Sequence, residues 1–166
     1  LILMAMSSLR AEEPKKEDEK PKVETEMVSI DSIKYPVPKT WKRQEPSSNM
    51  RLAQFGIPLA EGDGGKVELV VFYFGPGQGG SVDANIKRWL GQFKKLDGKE
   101  KQEKVEVDGL TITLLDATGT YENKPFPMAP RGDLMENWRM LAAVVETDGQ
   151  DGPYFFRAVG PAKTME

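Results

Sequence analysis

The chain has 166 residues, a net charge of −3, and neither cysteine nor histidine. The lack of both residue types excludes thiol nucleophiles, disulfides, Cys/His zinc sites and a Ser-His-Asp triad. Its 23 basic and 26 acidic residues are interspersed without a basic stripe, which argues against a nucleic-acid-binding protein. Catalysis by carboxylates, Lys or Tyr, or by an oxygen-ligated metal, stays open. No catalytic residue and no cofactor is indicated.

The first 11 residues are typical of the back half of a signal peptide, because an apolar run is followed by small residues that end at Ala11. This pattern predicts an exported protein, periplasmic or otherwise extracytoplasmic; a frayed cytosolic N-terminus is the alternative. Residues 12–27 are mostly Glu, Lys, Asp and Pro, a composition that predicts a disordered charged linker. No later segment is long enough to span a membrane, so the mature chain is expected to have no transmembrane span.

Residues 28–166 are expected to form one domain that begins with strands. Residues 28–37 alternate loosely and end at prolines, which indicates a first strand. Residues 51–57 predict a second strand, and the nearly continuous apolar run at 67–74 is typical of a central strand covered on both faces.

One helix follows the glycine-rich segment at residues 75–80. Ser81 is a good N-cap, and Asp83 suits the first turn of a helix. Lys94 and Lys95 suit the C-terminal end, so the helix is expected to stop at Asp97-Gly98. The apolar residues fall on one face of this helix: Val82, Ile86, Trp89, Leu90 and Phe93.

The second half of the domain predicts more strands. Asp108-Gly109 is a strong hairpin signal between residues 104–107 and 110–121. A long loop is expected at 121–137, followed by a strand pair at 138–147 and 154–159. Strands around a single internal helix predict an α+β fold with a mostly antiparallel sheet flanked by helices. Thr164 is a suitable N-cap for a C-terminal helix that is truncated here, which would leave one side of the sheet partly bare.

The glycine-rich segment Gly75-Pro-Gly-Gln-Gly-Gly80 formally fits G-x-G-x-x-G, between a strand and a capped helix. This context suits a phosphate or nucleotide, so a small-ligand site here is one alternative function. Repeated strand–helix units are absent from the sequence, and Pro76 removes a backbone donor, which both argue against it. The acidic turns at Glu61 and Asp63 and at Asp148 and Asp151 lack the ligand spacing of a calcium loop, so no metal site is predicted. A carboxylate- or metal-dependent enzyme stays an alternative function.

The Pro-rich loop carries the candidate partner-binding residues Phe126, Met128 and Arg131. An exposed apolar loop stiffened by prolines suits a binding element. The commoner outcome is that such residues fold back over a sheet face. Arg131-Gly132-Asp133 also matches the tripeptide read by cell-adhesion receptors, but a tripeptide often occurs by chance.

Short motifs in four segments resemble PsbP-like proteins. They are the strand at 67–74, the capped helix, and the segments RMLAAVVE at 139–146 and GPYFFRAVGP at 152–161. The resemblance implies an antiparallel sheet between helices, an α/β/α sandwich, and a binding or assembly role without a shared catalytic constellation. Together with the signal-like start, it leads us to expect an exported, non-catalytic binding or scaffolding domain. Its expected partner is a protein or another component of the cell envelope.

Overall fold

The structure is a computed structural model that describes residues 22–147 and 151–166. The predicted signal peptide and most of the predicted linker therefore lie outside the described residues. The elements in chain order are β1 (Thr25–Ile30), β2 (Ile33–Pro38), β3 (Lys42–Gln44), β4 (Arg51–Ile57), β5 (Val67–Tyr73), α1 (Val82–Leu90), β6 (Phe93–Leu96), β7 (Lys101–Val107), β8 (Leu110–Asn123), β9 (Asp133–Glu146) and β10 (Tyr154–Pro161).

Eight strands form an antiparallel sheet in the order β3-β4-β5-β10-β9-β8-β6, and β7 also pairs with β8. The turn between β7 and β8 uses Asp108 at φ 51° and Gly109 at φ 79°, as a two-residue hairpin requires. The strands β9 and β10 pair in the antiparallel manner expected from the sequence. The predicted α+β class with a mostly antiparallel sheet is therefore confirmed.

Helix α1 covers one face of the sheet. The Ser81 hydroxyl caps it by accepting a hydrogen bond from the Ala84 N–H at 3.2 Å. Its buried residues Ile86 and Trp89 pack on a cluster drawn from β6, β8, β9 and β10: Phe93, Leu115, Ala117, Tyr121, Met140, Ala142, Val144 and Phe155. This face holds the largest single cluster of buried residues.

Helix α1 is shorter than the sequence suggested. It ends at Leu90, and Phe93–Leu96 forms strand β6 along the edge of β8. The prediction of a helix reaching Lys95 was therefore wrong. Phe93 still packs against the core, but it does so from a strand, with its ring centroid 5.5 Å from that of Tyr121.

A β-hairpin covers part of the opposite face. Residues 28–37, predicted as one strand, form most of β1 and β2, which pair around Asp31 at φ 48°. β1 begins at Thr25, inside the range assigned to the linker. Its apolar residues pack on β4 and β5 in one cluster: Val28, Ile30, Val37, Ala53, Phe55 and Val71. The α/β/α sandwich predicted from the sequence would place helices on both faces of the sheet. Within residues 22–147 and 151–166, this hairpin and not a helix lies on the second face.

The long loop predicted at 121–137 is also shorter. Strand β8 runs to Asn123 and β9 starts at Asp133, so the two strands form a ladder of 14 residues each. After β10 the chain makes a turn, and Thr164 accepts a hydrogen bond from the Ala60 N–H at 3.0 Å. The helix in the described part of the chain is too short to cross a membrane.

Candidate functional site

The β8–β9 tip, defined as residues 124–132, carries the candidate partner-binding residues. The Ala129 N–H donates to the Phe126 carbonyl at 3.0 Å, and Ala129 is buried. This turn leaves Phe126 58% exposed and Met128 88% exposed. The expectation that such residues fold back over the sheet was therefore wrong for Phe126 and Met128.

Glu122 holds the base of the tip. This side chain is buried, and its Oε1 accepts a hydrogen bond from the Gly132 N–H at 3.3 Å. Its Oε2 lies 2.9 Å from Lys94 Nζ and 3.7 Å from Lys124 Nζ. The hydrogen bond from Lys94 lowers the pKa of Glu122, with smaller contributions from the Gly132 amide and Lys124. The carboxylate at the base of the tip therefore stays charged at neutral pH.

Gly132 lets the two strands approach closely where the tip begins. A Cβ atom at this position would lie 2.4 Å from the carbonyl oxygen of Asn123. The glycine of the Arg131-Gly132-Asp133 tripeptide therefore has a local packing role. Arg131 is exposed beside it, and Asp133 is already paired with Asn123 in the ladder.

The glycine-rich segment packs against the aromatic core. Gly79 has φ 97°, and a Cβ atom there would lie 2.5 Å from Phe155 Cε2. The Gly77 N–H, which a phosphate would need, donates to the Gly152 carbonyl at 2.8 Å. The buried Asn85 amide donates to the carbonyls of Gly79 and Ser81, each at 2.9 Å. These contacts give the glycines a packing role that involves no ligand.

The carboxylates with a shifted pKa are poorly suited to acid–base chemistry. Arg139 donates to both oxygens of Asp116, at 2.8 and 2.7 Å, and these hydrogen bonds lower the pKa of Asp116. The pKa of Glu122 is lowered as well. A general acid or base at neutral pH needs a raised carboxyl pKa instead. Within residues 22–147 and 151–166, no three acidic side chains are grouped so that they could hold a metal.

An apolar groove of about 530 Å³ lies on the hairpin-covered face. Trp41 and Phe156 line it beside Leu114 and Leu141, which are 38% and 36% exposed. Met165 also lines it. No role was assigned to these residues from the sequence, although the alternation of the two leucines with buried residues on β8 and β9 was a signal for them.

No protein-family model and no curated protein matches this chain. The resemblance to PsbP-like proteins therefore rests on the sequence motifs of β5, α1, β9 and β10.

Proposed function

We propose that this protein is an exported, non-catalytic binding or scaffolding domain that contacts a partner protein through the β8–β9 tip. The observation that carries the proposal is the exposure of Phe126 and Met128 on a turn whose base is held by Glu122. The PsbP-like motifs and the signal-like start support a binding role in the cell envelope.

The energetics suit a small anchor. Burying one large apolar side chain contributes about 1.5–3 kcal/mol, so Phe126 and Met128 together suffice for a moderate interaction. A turn that is already ordered loses less conformational entropy on binding than a flexible loop does. Phe and Met are both enriched in protein interfaces relative to the rest of the surface.

The charges near the tip favour a protein over a membrane as the partner. Lys124 and Arg131 flank the apolar side chains, and a protein pocket with an acidic rim would complement them. Asp133 and Glu136 are exposed at the start of β9, and the whole chain has a net charge of −3. Both features weaken attraction to anionic lipids.

The test compares two exposed methionines, one on the tip and one outside it. Met128→Asp places a charge on the tip, whereas Met50→Asp places the same charge before β4, where Met50 is 57% exposed. Purified wild type and both variants are used as bait against a periplasmic fraction, and retained proteins are quantified by mass spectrometry. We expect a partner retained by the wild type and by Met50→Asp and depleted at least about tenfold by Met128→Asp, a loss of 1.4 kcal/mol.

A partner retained equally by Met128→Asp would overturn the proposal, as would the absence of any specific partner. Sedimentation with anionic vesicles tests the membrane alternative. Vesicle binding by the wild type that Met128→Asp abolishes would replace the protein partner with a lipid surface.

A further inference from the structure

A cavity of about 620 Å³ lies on the helix-covered face of the sheet. Trp138 and Val159, which line it, also pack on the cluster that α1 covers. Its lining residues come from the β4–β5 loop, the end of β8, from β9, and from the end of β10 with the turn after it. Helix α1 has only nine residues, so this part of the face stays uncovered. The volume falls in the range of small-molecule sites, about 300–1,000 Å³.

The apolar floor of the cavity is built around Trp138. This side chain is half-buried, and its ring stacks on that of Tyr121, with centroids 5.7 Å apart and ring planes 8° apart. Met135 of β9 and Val159 of β10 line the cavity beside it. An indole offers a large, flat apolar surface, and the stacking on Tyr121 holds this one in a fixed orientation.

The rim of the cavity is ordered by hydrogen bonds between segments that are distant in the sequence. The Thr164 hydroxyl donates to Asp63 Oδ2 at 2.6 Å, and the Ala60 N–H donates to Thr164 Oγ1 at 3.0 Å. These two bonds join the β4–β5 loop to the turn after β10. The same turn is joined to β9, because the Ala162 N–H donates to the Asn137 carbonyl at 2.9 Å. A rim that is already ordered loses little conformational entropy when a ligand binds.

Two asparagines place polar side chains at the cavity. Asn137 lies at the irregularity of the β8–β9 ladder, between Met135 and Trp138. Its φ is 54°, a left-handed conformation that asparagine tolerates better than most residues do. The exposed Asn137 lines the cavity from β9, and the exposed Asn123 lines it from the end of β8. A side-chain amide both donates and accepts hydrogen bonds, as a hydroxyl group does.

The charges that line the cavity balance one another. They are two carboxylates and two ammonium groups, on Asp63, Glu136, Lys66 and Lys163. Both lysines already have acceptors: Lys66 pairs with Glu68, and Lys163 Nζ donates to the Glu61 carbonyl at 2.6 Å. A phosphate or a carboxylate would therefore gain little electrostatic attraction here, and a neutral ligand suits the cavity better.

We propose that this cavity binds a neutral saccharide, with one sugar ring stacked on Trp138. A pyranose ring presents a face of C–H groups and a rim of hydroxyls, so it needs a flat apolar surface beside groups that both donate and accept. Trp138 supplies the surface, and Asn123 and Asn137 supply the polar groups. The lining residues all lie outside the β8–β9 tip, so the site stands or falls independently of the proposed function.

The experiment titrates the folded chain with maltotriose, cellotriose, chitotriose and, as a neutral aromatic ligand, adenosine, and follows the indole N–H signals by NMR. The test variants are Asn137→Gly and Trp138→Leu. Glycine suits the φ of residue 137, so Asn137→Gly is expected to fold even if Trp138→Leu does not. The controls are Asp31→Gly, which makes a similar change at φ 48° in the β1–β2 turn, and Trp41→Leu, which removes an indole from the apolar groove on the other face.

We expect millimolar or tighter binding of at least one trisaccharide by the wild type and both controls, with a shift of the Trp138 indole signal. Loss of the amide should weaken binding roughly threefold to tenfold in Asn137→Gly. Loss of the stacking surface should weaken it at least about tenfold in Trp138→Leu. Binding of one trisaccharide alone would support the site and identify its sugar class.

Four results would each overturn the proposal. They are no binding of any trisaccharide by the wild type at millimolar concentrations, equal binding by all variants, a loss of binding confined to Trp41→Leu, and tighter binding of adenosine than of every trisaccharide.

Discussion

Arg139 on β9 holds the Asp116 carboxylate of β8 through two hydrogen bonds, from Nε to Oδ1 at 2.8 Å and from Nη2 to Oδ2 at 2.7 Å. A third donor, Nη1, reaches the Met165 carbonyl at 2.9 Å. One guanidinium therefore joins the centre of the β8–β9 ladder to the turn that follows β10. Paired hydrogen bonds of this kind are among the stronger polar contacts in proteins.

Asp116→Asn should destabilise the protein in a pH-dependent way. The hydrogen bonds from Arg139 lower the pKa of Asp116, so its stabilisation is complete above the unfolded value of about 3.9 and is lost as the pH falls through the lower folded pKa. Because both side chains are partly exposed, we expect a loss of about 1 kcal/mol at neutral pH. Urea unfolding at neutral pH and at about pH 2 measures both values.

The difference between wild type and Asp116→Asn should shrink as the pH falls below the unfolded pKa, because Asp116 then becomes increasingly protonated in the wild type too. Glu106→Gln on the exposed strand β7 is the control and should change the free energy of unfolding little at either pH. A loss from Asp116→Asn that persists unchanged in acid would show that packing, and not charge, is responsible.

Gly79→Ala should be far more damaging than the same change at Gly77. Both glycines have positive φ, but an added Cβ at Gly79 meets Phe155 and Phe74 within 3 Å, whereas at Gly77 it meets nothing within 4 Å. Positive φ alone costs about 1–2 kcal/mol for alanine. The contact with Phe155 should add about 1–3 kcal/mol at Gly79 only. Thermal unfolding of both variants measures the difference, and equal losses would contradict the close contact.

Val37→Ala tests whether the β1–β2 hairpin belongs to the core. Val37 is 1% exposed and packs beside Phe55, so its loss should destabilise the protein by about 1–3 kcal/mol. Val107→Ala is the matched control, since Val107 is 48% exposed on an edge strand. Urea unfolding and amide hydrogen exchange of β1 and β2 are the measurements. If the two variants were equally stable, the hairpin would not contribute to global stability.

The sequence predicted best those elements whose signals are local. The Asp108-Gly109 turn and the apolar run of β5 were identified from a few residues, because turn geometry and burial dictate residue type directly. The strand pair β9–β10 followed from its apolar residues in the same way.

The errors arose where tertiary pairing decided the structure. Phe93 continues the apolar pattern of α1, but it lies in β6, because this segment pairs with the edge of β8. Residues 25–38 form two strands, whose apolar side chains pack on the face of β4 and β5. This packing is a long-range contact, so no local sequence pattern indicates it. Glu122, at the base of the tip, pairs with Lys94, which is distant in the sequence.

Tyr35→Phe should leave the protein as stable as the wild type, or more stable by up to about 1 kcal/mol at neutral pH. The Tyr35 hydroxyl is buried and finds no hydrogen-bond partner among the described residues. The ring contacts with Phe55 and Phe156, at centroid distances of 6.5 and 4.9 Å, would be retained. Tyr154→Phe is the control: it loses a hydrogen bond of 3.1 Å with Ser32 and should be destabilised by about 1 kcal/mol.

Tyr35→Phe should also differ from the wild type in alkali. Burial raises the pKa of Tyr35 to about 12, with a smaller opposing effect from Arg43. The folded pKa is above the unfolded value of about 10, so the wild type is fully stabilised below pH 10 and loses stability as the pH rises towards the folded pKa. Tyr35→Phe lacks this titration, so its advantage should grow above pH 10 in urea unfolding experiments. If the stability difference between Tyr35→Phe and the wild type shrank instead, the Tyr35 hydroxyl would have a hydrogen-bond partner in solution.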